Sequence, residues 1–266
     1  MRPLNDFPRQ EAALVTTVFT DIDDTLTSDG LLPSHAYCAL EKLNAAGIDV
    51  VPVTGRPAGW CDMIARFWPV RGIVGENGAF HFSYDRSARK MRRVFHVPEK
   101  QRAADKMRLD RIRARVLGDV PGAGVSADQA YRESDLAIDF CEDVEPLDAA
   151  AVARIKEIFE QEGATAKISS IHVNGWFGDY DKLSMSRQFA RDVLNLDIDA
   201  QKHRIVFCGD SPNDAPMFGF FPNSCGVANV LDFEDTLDAH PAWLAPSRGA
   251  EGFVEIAEHL LAARNA

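Results

Sequence analysis

Short apolar runs alternate with amphipathic stretches through the first part of the chain. The runs are rich in β-branched residues, which favours buried strands, and the stretches between them begin and end with helix-capping and turn residues. In chain order they predict a strand at 14–20, a helix at 35–46 capped by Ser34, a strand at 48–53, a helix at 57–67 and a strand at 72–74. The first ten residues are expected to form a loose tail. Because strands and helices alternate, the strands should be parallel and joined by crossover helices.

The pattern changes after residue 80 and returns after residue 180. In the middle part it predicts a hairpin at 80–84 and 94–97, a basic helix at 98–117, a strand at 136–140, a helix at 147–162 and a strand at 166–173. In the last part it predicts a helix at 182–194, strands at 204–208 and 225–228, and a helix at 253–263. The sequence therefore predicts an α/β fold whose parallel-sheet core, residues 1–82 and 179–266, is interrupted by an inserted α+β domain, residues 83–178.

Composition and charge narrow the class of protein. The 266 residues are 46% hydrophobic and 26% charged, which is the ordinary globular range, and no apolar run reaches the length that a membrane span needs. The N-terminus lacks the apolar core of a secretory signal, and five widely spaced cysteines fit reduced thiols, so a cytoplasmic protein is expected. A net charge of −11 disfavours nucleic acid and membranes as partners.

The charge is unevenly distributed along the chain. Residues 86–115 hold twelve Lys or Arg against three Asp or Glu, in an otherwise acidic protein. Such a block is either a solvated helix face or a place where an anionic ligand binds.

Two carboxylates follow the first predicted strand directly. The pattern Asp-x-Asp occurs three times in a chain with 26 aspartates, but only Asp21 and Asp23 come straight after an apolar run. Ligands of open parallel sheets bind at the carboxyl ends of the strands, so both side chains should face one crevice. Two carboxylates there repel each other unless a cation compensates, and a hard divalent ion such as Mg²⁺ is the natural partner of oxygen ligands.

Two further strands end in polar residues at the same edge. Thr54 and Gly55 follow the second strand and offer a hydroxyl group and an unobstructed backbone N–H. The strand at 204–208 is followed by two carboxylates and a carboxamide, at Asp210, Asp214 and Asn213. Each cluster alone is typical of a turn, but three of them at one edge indicate a site. Lys182, just before the last of these strands, could supply the fixed positive charge that a phosphoryl group needs.

Together these segments resemble the four ordered motifs of the haloacid dehalogenase superfamily of phosphohydrolases. The segments are Asp21-Ile-Asp23-Asp24-Thr25-Leu26, Thr54-Gly55-Arg56, Lys182 and Gly209-Asp210-x-x-Asn213-Asp214. The insert lies where that superfamily places its type 2 caps, and its α+β content resembles the IIB subtype, which includes Cof-like sugar phosphatases, sucrose-phosphate phosphatase and mannosyl-3-phosphoglycerate phosphatase. This chain departs from that subtype at two positions. Asp24 stands where glycine is common, and Leu-Ser follows Lys182 where glycine is also common. The resemblance implies a Rossmann-like core under a cap.

The resemblance also implies an activity. A protein of this family would be a Mg²⁺-dependent phosphatase that hydrolyses small phosphorylated metabolites through an aspartyl-phosphate. Sugar phosphates are the first substrates to expect. Asp21 would be the nucleophile, and Asp23 would protonate the leaving oxygen and then activate water. The metal ligands would be Asp21, the backbone carbonyl of Asp23, Asp210 and Asp214.

The resemblance further implies which residues hold the substrate. Thr54, the Gly55 amide and Lys182 would bind phosphoryl oxygens, whose charge is spread over three atoms in the transition state. Asn213 would support the metal or the substrate. Arg56 would either contact an anionic substrate or pair with a core carboxylate.

Alternatives remain at this stage. A phosphomutase uses the same first step and returns the phosphoryl group to a sugar, so release of inorganic phosphate separates the two. A non-catalytic signalling or binding module that is phosphorylated on aspartate uses similar residues, but in a different chain order. Outside the motifs, His172, Asn174 and Trp176 lie where the chain returns from the insert to the core, and they either read the leaving group or pack the hinge.

Overall fold

The computed structural model describes residues 1–264, in which helices and strands alternate along most of the chain. The strands are β1 (Arg2–Pro3), β2 (Thr17–Thr20), β3 (Asp49–Pro52), β4 (Ile73–Gly75), β5 (Phe80–Asp85), β6 (Lys90–Phe95), β7 (Gly124–Val125), β8 (Asp135–Asp139), β9 (Thr165–Ile168), β10 (His172–Trp176), β11 (Ile205–Gly209), β12 (Asn223–Gly226) and β13 (Trp243–Leu244). The helices are α1 (Arg9–Ala12), α2 (Ser34–Ala45), α3 (Ala58–Phe67), α4 (Glu99–Asp119), α5 (Ala149–Gln161), α6 (Lys182–Phe189), α7 (Ile198–Gln201), α8 (Ala215–Phe220) and α9 (Gly249–Arg264). None of these helices combines the length and the apolar character that a membrane span requires.

The core is a parallel sheet with an apolar cluster on each face. Its strands follow the order β1-β13-β12-β11-β2-β3, and every neighbouring pair is parallel. Adjacent residues of a strand point to opposite faces, so Val18 and Phe19 of β2 belong to different clusters. Helices α2, α3 and α9 cover the face of Val18, while α6 and α8 cover the face of Phe19. The predicted α/β fold with a parallel core is confirmed.

The insert has a sheet and an apolar cluster of its own. Strands β7, β8, β10 and β9 pair in that order, and all pairs are antiparallel. Helices α4 and α5 pack on this sheet through side chains such as Ile112 and Phe159. The insert is therefore α+β, as the sequence predicts.

A third small sheet lies between these two parts along the chain. It consists of β4, β5 and β6 in antiparallel order, and β4 joins the end of β3 through a single parallel bridge between Val53 and Val74. The predicted division between residues 82 and 83 falls inside β5. The boundaries 1–82, 83–178 and 179–266 stay a prediction.

The N-terminal residues are not the loose tail that the sequence predicts. Arg2–Pro3 pairs in parallel with Trp243–Leu244 at the edge of the core sheet. Phe7 is buried and stacks on Trp243 with ring centroids 5.0 Å apart. A two-residue strand whose partner lies some 240 residues away leaves no local periodicity to detect.

Other differences are local. The predicted strand at 166–173 is two strands, β9 and β10, joined by a tight turn in which the Ser169 N–H donates to the His172 carbonyl oxygen at 2.9 Å. Ser34 does not cap α2, because Pro33 occupies the cap position and no side chain there bonds the helix end. The last helix begins at Gly249, four residues earlier than predicted, and that residue has a left-handed φ of 51°.

Candidate active site

Three polar clusters meet at the carboxyl edge of the core sheet. Strands β11, β2 and β3 are neighbours, so the residues that follow them, Asp210, Asp21 and Thr54, come together. The backbone hydrogen bonding continues past β2, because the Asp21 N–H donates to the Cys208 carbonyl oxygen at 2.8 Å. Asp24 then turns the chain with a left-handed φ of 54°, a conformation that glycine adopts with less strain.

Lys182 joins two of the clustered carboxylates. Its Nζ lies 3.0 Å from Asp21 Oδ1 and 2.7 Å from Asp214 Oδ1, and all three side chains are buried. Oxygen atoms of Asp21, Asp210 and Asp214 lie within 4.8 Å of one another. The other oxygen of Asp214 accepts from the Asp210 N–H at 3.0 Å, which fixes the loop after β11. Asp23 is predicted to be a ligand through its backbone carbonyl, and its side chain is not part of this group.

The three carboxylates of Asp21, Asp210 and Asp214 have one buried cation, Lys182, among them. Burial raises the pKa of Asp21 to about 8, even though the neighbouring Lys182 lowers it. Burial, together with the negative charges of its neighbours, also raises the pKa of Asp210. Asp210 Oδ1 accepts from the Thr25 hydroxyl group at 3.1 Å, but Oδ2 is buried without a hydrogen-bond partner among the described residues. An oxygen-only donor set with an unpartnered buried carboxylate oxygen fits a hard divalent cation such as Mg²⁺.

The guanidinium group of Arg56 holds Asp23. Its Nε donates to both oxygens of Asp23 at 3.0 Å, and Nη2 donates to Oδ1 at 2.8 Å. Arg56 also reaches two carboxylates of the insert, Glu142 at 2.7 Å and Asp128 at 3.5 Å. The predicted pairing of Arg56 with a core carboxylate is therefore present in the structure. It also links the core to the insert.

Glu142 has a second neighbour on the cavity wall. His172 Nε2 lies 2.9 Å from Glu142 Oε2, although the two groups are not aligned for a hydrogen bond. His172 and Arg56 beside it lower the pKa of Glu142 to about 2. Glu142 is therefore ionised at neutral pH, and it bridges two side chains that can carry positive charge.

A second polar network crosses from the insert to the core. Arg132, whose side chain is fully buried, donates to the Gly55 carbonyl oxygen at 2.9 Å and to the carboxylates of Asp128 and Asp135. Glu76 of the core accepts hydrogen bonds from the backbone N–H groups of residues 133 and 134 in the insert, at 2.9 and 2.6 Å. The two parts of the molecule thus meet over the site through ion pairs and hydrogen bonds.

A small cavity lies under this contact. It has a volume of about 10 Å³, room for about one water molecule. Its wall combines residues of both parts: Asp21, Asp23, Gly55, Arg56 and Asn213 from the core, and Arg132, Ser169, Ser170, Ile171, His172 and Asn174 from the insert. Larger hollows exist elsewhere, one of about 780 Å³ beside the β5–β6 hairpin, but that hollow contains none of the strand-end carboxylates. We place the site by its chemistry rather than by the size of the hollow.

The structure places the sequence-predicted residues as follows. Asp21, Asp23, Gly55, Arg56 and Asn213 line the cavity, while Lys182, Asp210 and Asp214 form the buried layer beside it. The remaining one, Thr54, is buried and accepts from the Arg56 N–H at 3.0 Å, which shapes the loop after β3.

Several residues of the site were not singled out from the sequence. Thr25 lies two residues after Asp23 and accordingly within the quoted motif, so the motif itself contained that signal. Asn77, in contrast, lies in the segment 76–78, which the sequence predicts to be a hairpin or hinge turn, with a ligand role as the alternative. It has a left-handed φ of 54°, accepts weakly from Asn213 at 3.4 Å and lies against Gly55. Arg132 and Glu142 lie in the insert without a recognisable motif, so their place in the site becomes visible only in the fold. Trp176, by contrast, packs in the core cluster and stacks on Tyr180 rather than facing the cavity.

Comparison with known families gives a match to part of the chain. Residues 18–96 match the family model of haloacid dehalogenase-like hydrolases. Over these residues, the match confirms the resemblance that the motifs predict. The match supports the predicted enzyme class, a phosphoric monoester hydrolase, at the level of a hydrolase. The comparison with curated proteins gives no match.

Solved structures share the whole fold. A HAD/Cof-like hydrolase from Plasmodium vivax is 18% identical with a TM-score of 0.67, covering 96% of this chain and 99% of its own. The sucrose-phosphatase of Synechocystis, solved with sucrose and phosphate, is 15% identical with a TM-score of 0.60, covering 92% and 97%. A subclass IIB sugar phosphatase of the superfamily is 13% identical with a TM-score of 0.61, covering 92% and 98%. At these identities the likeness shows the fold, a Rossmann-like core with an inserted cap.

Proposed function

We propose that the protein is a Mg²⁺-dependent, cytoplasmic phosphatase that hydrolyses small phosphorylated metabolites, sugar phosphates first, through an aspartyl-phosphate on Asp21. One observation carries the proposal: a buried lysine lies between two carboxylates at the strand ends, with a third carboxylate whose Oδ2 has no partner among the described residues. A site of this kind is suited to a dianionic group held against a cation. The solved sucrose-phosphatase and the subclass IIB sugar phosphatase share the fold, which supports sugar phosphates as the first substrates to test.

The acidic cluster supplies the metal site of this proposal. Asp21, Asp210 and Asp214, with the backbone carbonyl of Asp23, would hold Mg²⁺, which contributes positive charge that offsets the carboxylates and the phosphate. The raised pKa of Asp21 supports this assignment, because a carboxylate that resists ionisation in its own surroundings gains most from a cation.

The reaction follows from the proposed roles of two aspartates. A carboxylate oxygen of Asp21 attacks phosphorus, the bond from phosphorus to the ester oxygen breaks, and Asp23 gives its proton to that oxygen. Water then attacks the phosphorus of the aspartyl-phosphate and gives a proton to Asp23, the bond from phosphorus to the Asp21 oxygen breaks, and inorganic phosphate leaves. Lys182, the Thr54 hydroxyl group and the Gly55 amide hold the phosphoryl oxygens during both displacements.

The insert acts as a cap in this proposal. The cavity of about 10 Å³ is too small for a phosphate ester, so residues 83–178 must move away from the core before a substrate enters. When the cap closes again it excludes bulk water from the phosphoryl group. Arg56 and Asn213, which line the cavity, are the proposed contacts for the rest of the substrate.

The test measures release of inorganic phosphate from a panel of metabolite monophosphates and p-nitrophenyl phosphate. Activity should disappear when EDTA is added and return with Mg²⁺ but not with Ca²⁺, because the larger ion accepts more ligands in a looser geometry. Conversion of a sugar phosphate to its isomer without phosphate release would indicate the phosphomutase instead. Full activity after complete removal of metal would refute the metal site.

A further inference from the structure

The wall of the cavity contains three side chains that can carry positive charge, and each of them faces a carboxylate. Arg132 bonds to Asp128 and Asp135, both in the cap. Arg56 and His172 share Glu142, with separations of 2.7 and 2.9 Å. Glu142 thus contacts two of these three side chains at once.

The surroundings of Arg56 are negative overall. Its single positive charge faces the carboxylates of Asp23, Asp128 and Glu142. The pKa of Asp128 is lowered, with Arg132 opposing the effect of burial, and that of Glu142 is lowered as well, so both are ionised at neutral pH. An anionic group on the leaving part of a substrate would have to approach these charges or displace Glu142 from Arg56, and like charges brought together at an interface are costly.

We infer that Glu142 selects the substrate by charge: it reserves Arg56 and His172, so that the closed site accepts phosphomonoesters of neutral, hydroxyl-rich alcohols and rejects those whose leaving group bears a second anion. The inference rests on the proposed phosphatase function and narrows its substrate class. Neutral sugar and polyol monophosphates belong to the accepted class. Bisphosphates and phosphorylated hydroxy acids belong to the rejected class.

A matched pair of substrates tests the inference. Glycerol 3-phosphate and 3-phosphoglycerate differ at one carbon atom, which is a neutral hydroxymethyl group in the first and a carboxylate in the second. For the unaltered protein, kcat/KM should favour glycerol 3-phosphate by about tenfold or more, the size expected for one like-charge contact in a partly buried site. Equal rates, or a preference for 3-phosphoglycerate, would overturn the inference.

Substitution of Glu142 identifies the residue responsible. Glu142→Gln keeps the shape and one oxygen acceptor for Arg56 but removes the charge, so the preference should shrink by about tenfold, mainly because 3-phosphoglycerate improves. Glu142→Asp keeps the charge and should keep the preference. Glu145→Gln, an exposed neighbour in the same loop, is the matched control and should behave as the unaltered protein does. An unchanged preference in Glu142→Gln would reject the assignment.

A binding measurement separates this inference from the proposed activity. Isothermal titration calorimetry measures the binding of glycerol 3-phosphate and of 3-phosphoglycerate to the Asp21→Asn protein in the presence of Mg²⁺. The measurement does not require turnover. Tighter binding of glycerol 3-phosphate, lost when Glu142→Gln is added, supports the inference even if no substrate is hydrolysed. Equal binding, tighter binding of 3-phosphoglycerate or no binding of either ligand overturns it. Absence of phosphate release from every substrate, p-nitrophenyl phosphate included, would refute the phosphatase alone.

Discussion

Replacement of Asp21 by asparagine should abolish turnover and at the same time alter how the stability of the metal-free protein depends on pH. The substitution removes the proposed nucleophile and keeps the shape of the side chain. Loss of kcat should exceed about 100-fold, equivalent to about 2.7 kcal/mol of transition-state stabilisation. The effect on stability follows from the pKa of this buried group.

The sign of the stability effect can be derived from the protonation of Asp21. Burial raises its pKa from 3.8 to about 8 in the folded protein, so the folded state binds a proton that the unfolded state has already lost. The stability that this proton contributes is complete below pH 4 and is lost as the pH rises to 8. The limiting slope is about 1.4 kcal/mol per pH unit, so between pH 5 and 7 the unaltered protein should lose up to about 3 kcal/mol that Asp21→Asn does not lose.

Urea unfolding in EDTA at several pH values measures this difference. Asp179→Asn is the matched control, because Asp179 is exposed and belongs to another Asp-x-Asp pair. Its stability should follow the unaltered protein at every pH, and its activity should be retained. Parallel stability curves for Asp21→Asn and the unaltered protein would refute the electrostatic account of the cluster, and more than about 1% of residual kcat would refute the role of Asp21 as nucleophile.

Two more predictions concern buried cations. Lys182→Met leaves its two buried carboxylate partners without their cation and should lower the free energy of unfolding in EDTA by about 3–5 kcal/mol, against less than about 0.5 kcal/mol for the exposed Lys42→Met. Arg132→Met removes the fully buried cation that joins cap to core and should cost a similar amount, whereas Arg113→Met on the surface of α4 should cost little. Urea titrations measure both pairs, and a loss below about 1 kcal/mol at either buried position would contradict the account.

The strand-end residues of the site could be predicted because they depend on local sequence and on a general property of parallel sheets. An apolar run followed at once by carboxylates indicates both the strand and the edge where the carboxylates lie, which is how Asp21 and Asp210 could be placed on one side. Lys182 could be assigned only together with the other motifs. The structure brings its amine within 3.0 Å of Asp21, although 161 residues separate them.

The contributions of the cap could not be predicted in this way. Glu142 and Arg132 follow no motif, and their partners in the core are 86 and 77 residues away. Which charged residue of an insert meets which group of the core depends on how the two parts are packed, and no short-range pattern encodes that. The same reason explains the missed N-terminal strand, which depends on pairing with a distant segment.

The separate apolar cluster of the cap has a consequence for how such a protein can diverge. The side chains that stabilise the cap, such as Ile112 and Phe159, pack among themselves. A substitution there therefore changes the stability of the cap with little effect on the packing of the core. Its contacts with the core over the site are a few ion pairs and hydrogen bonds. A descendant that kept those contacts could replace most of the remaining surface of the cap and acquire a new substrate, while the residues that break the phosphate ester bond remained the same.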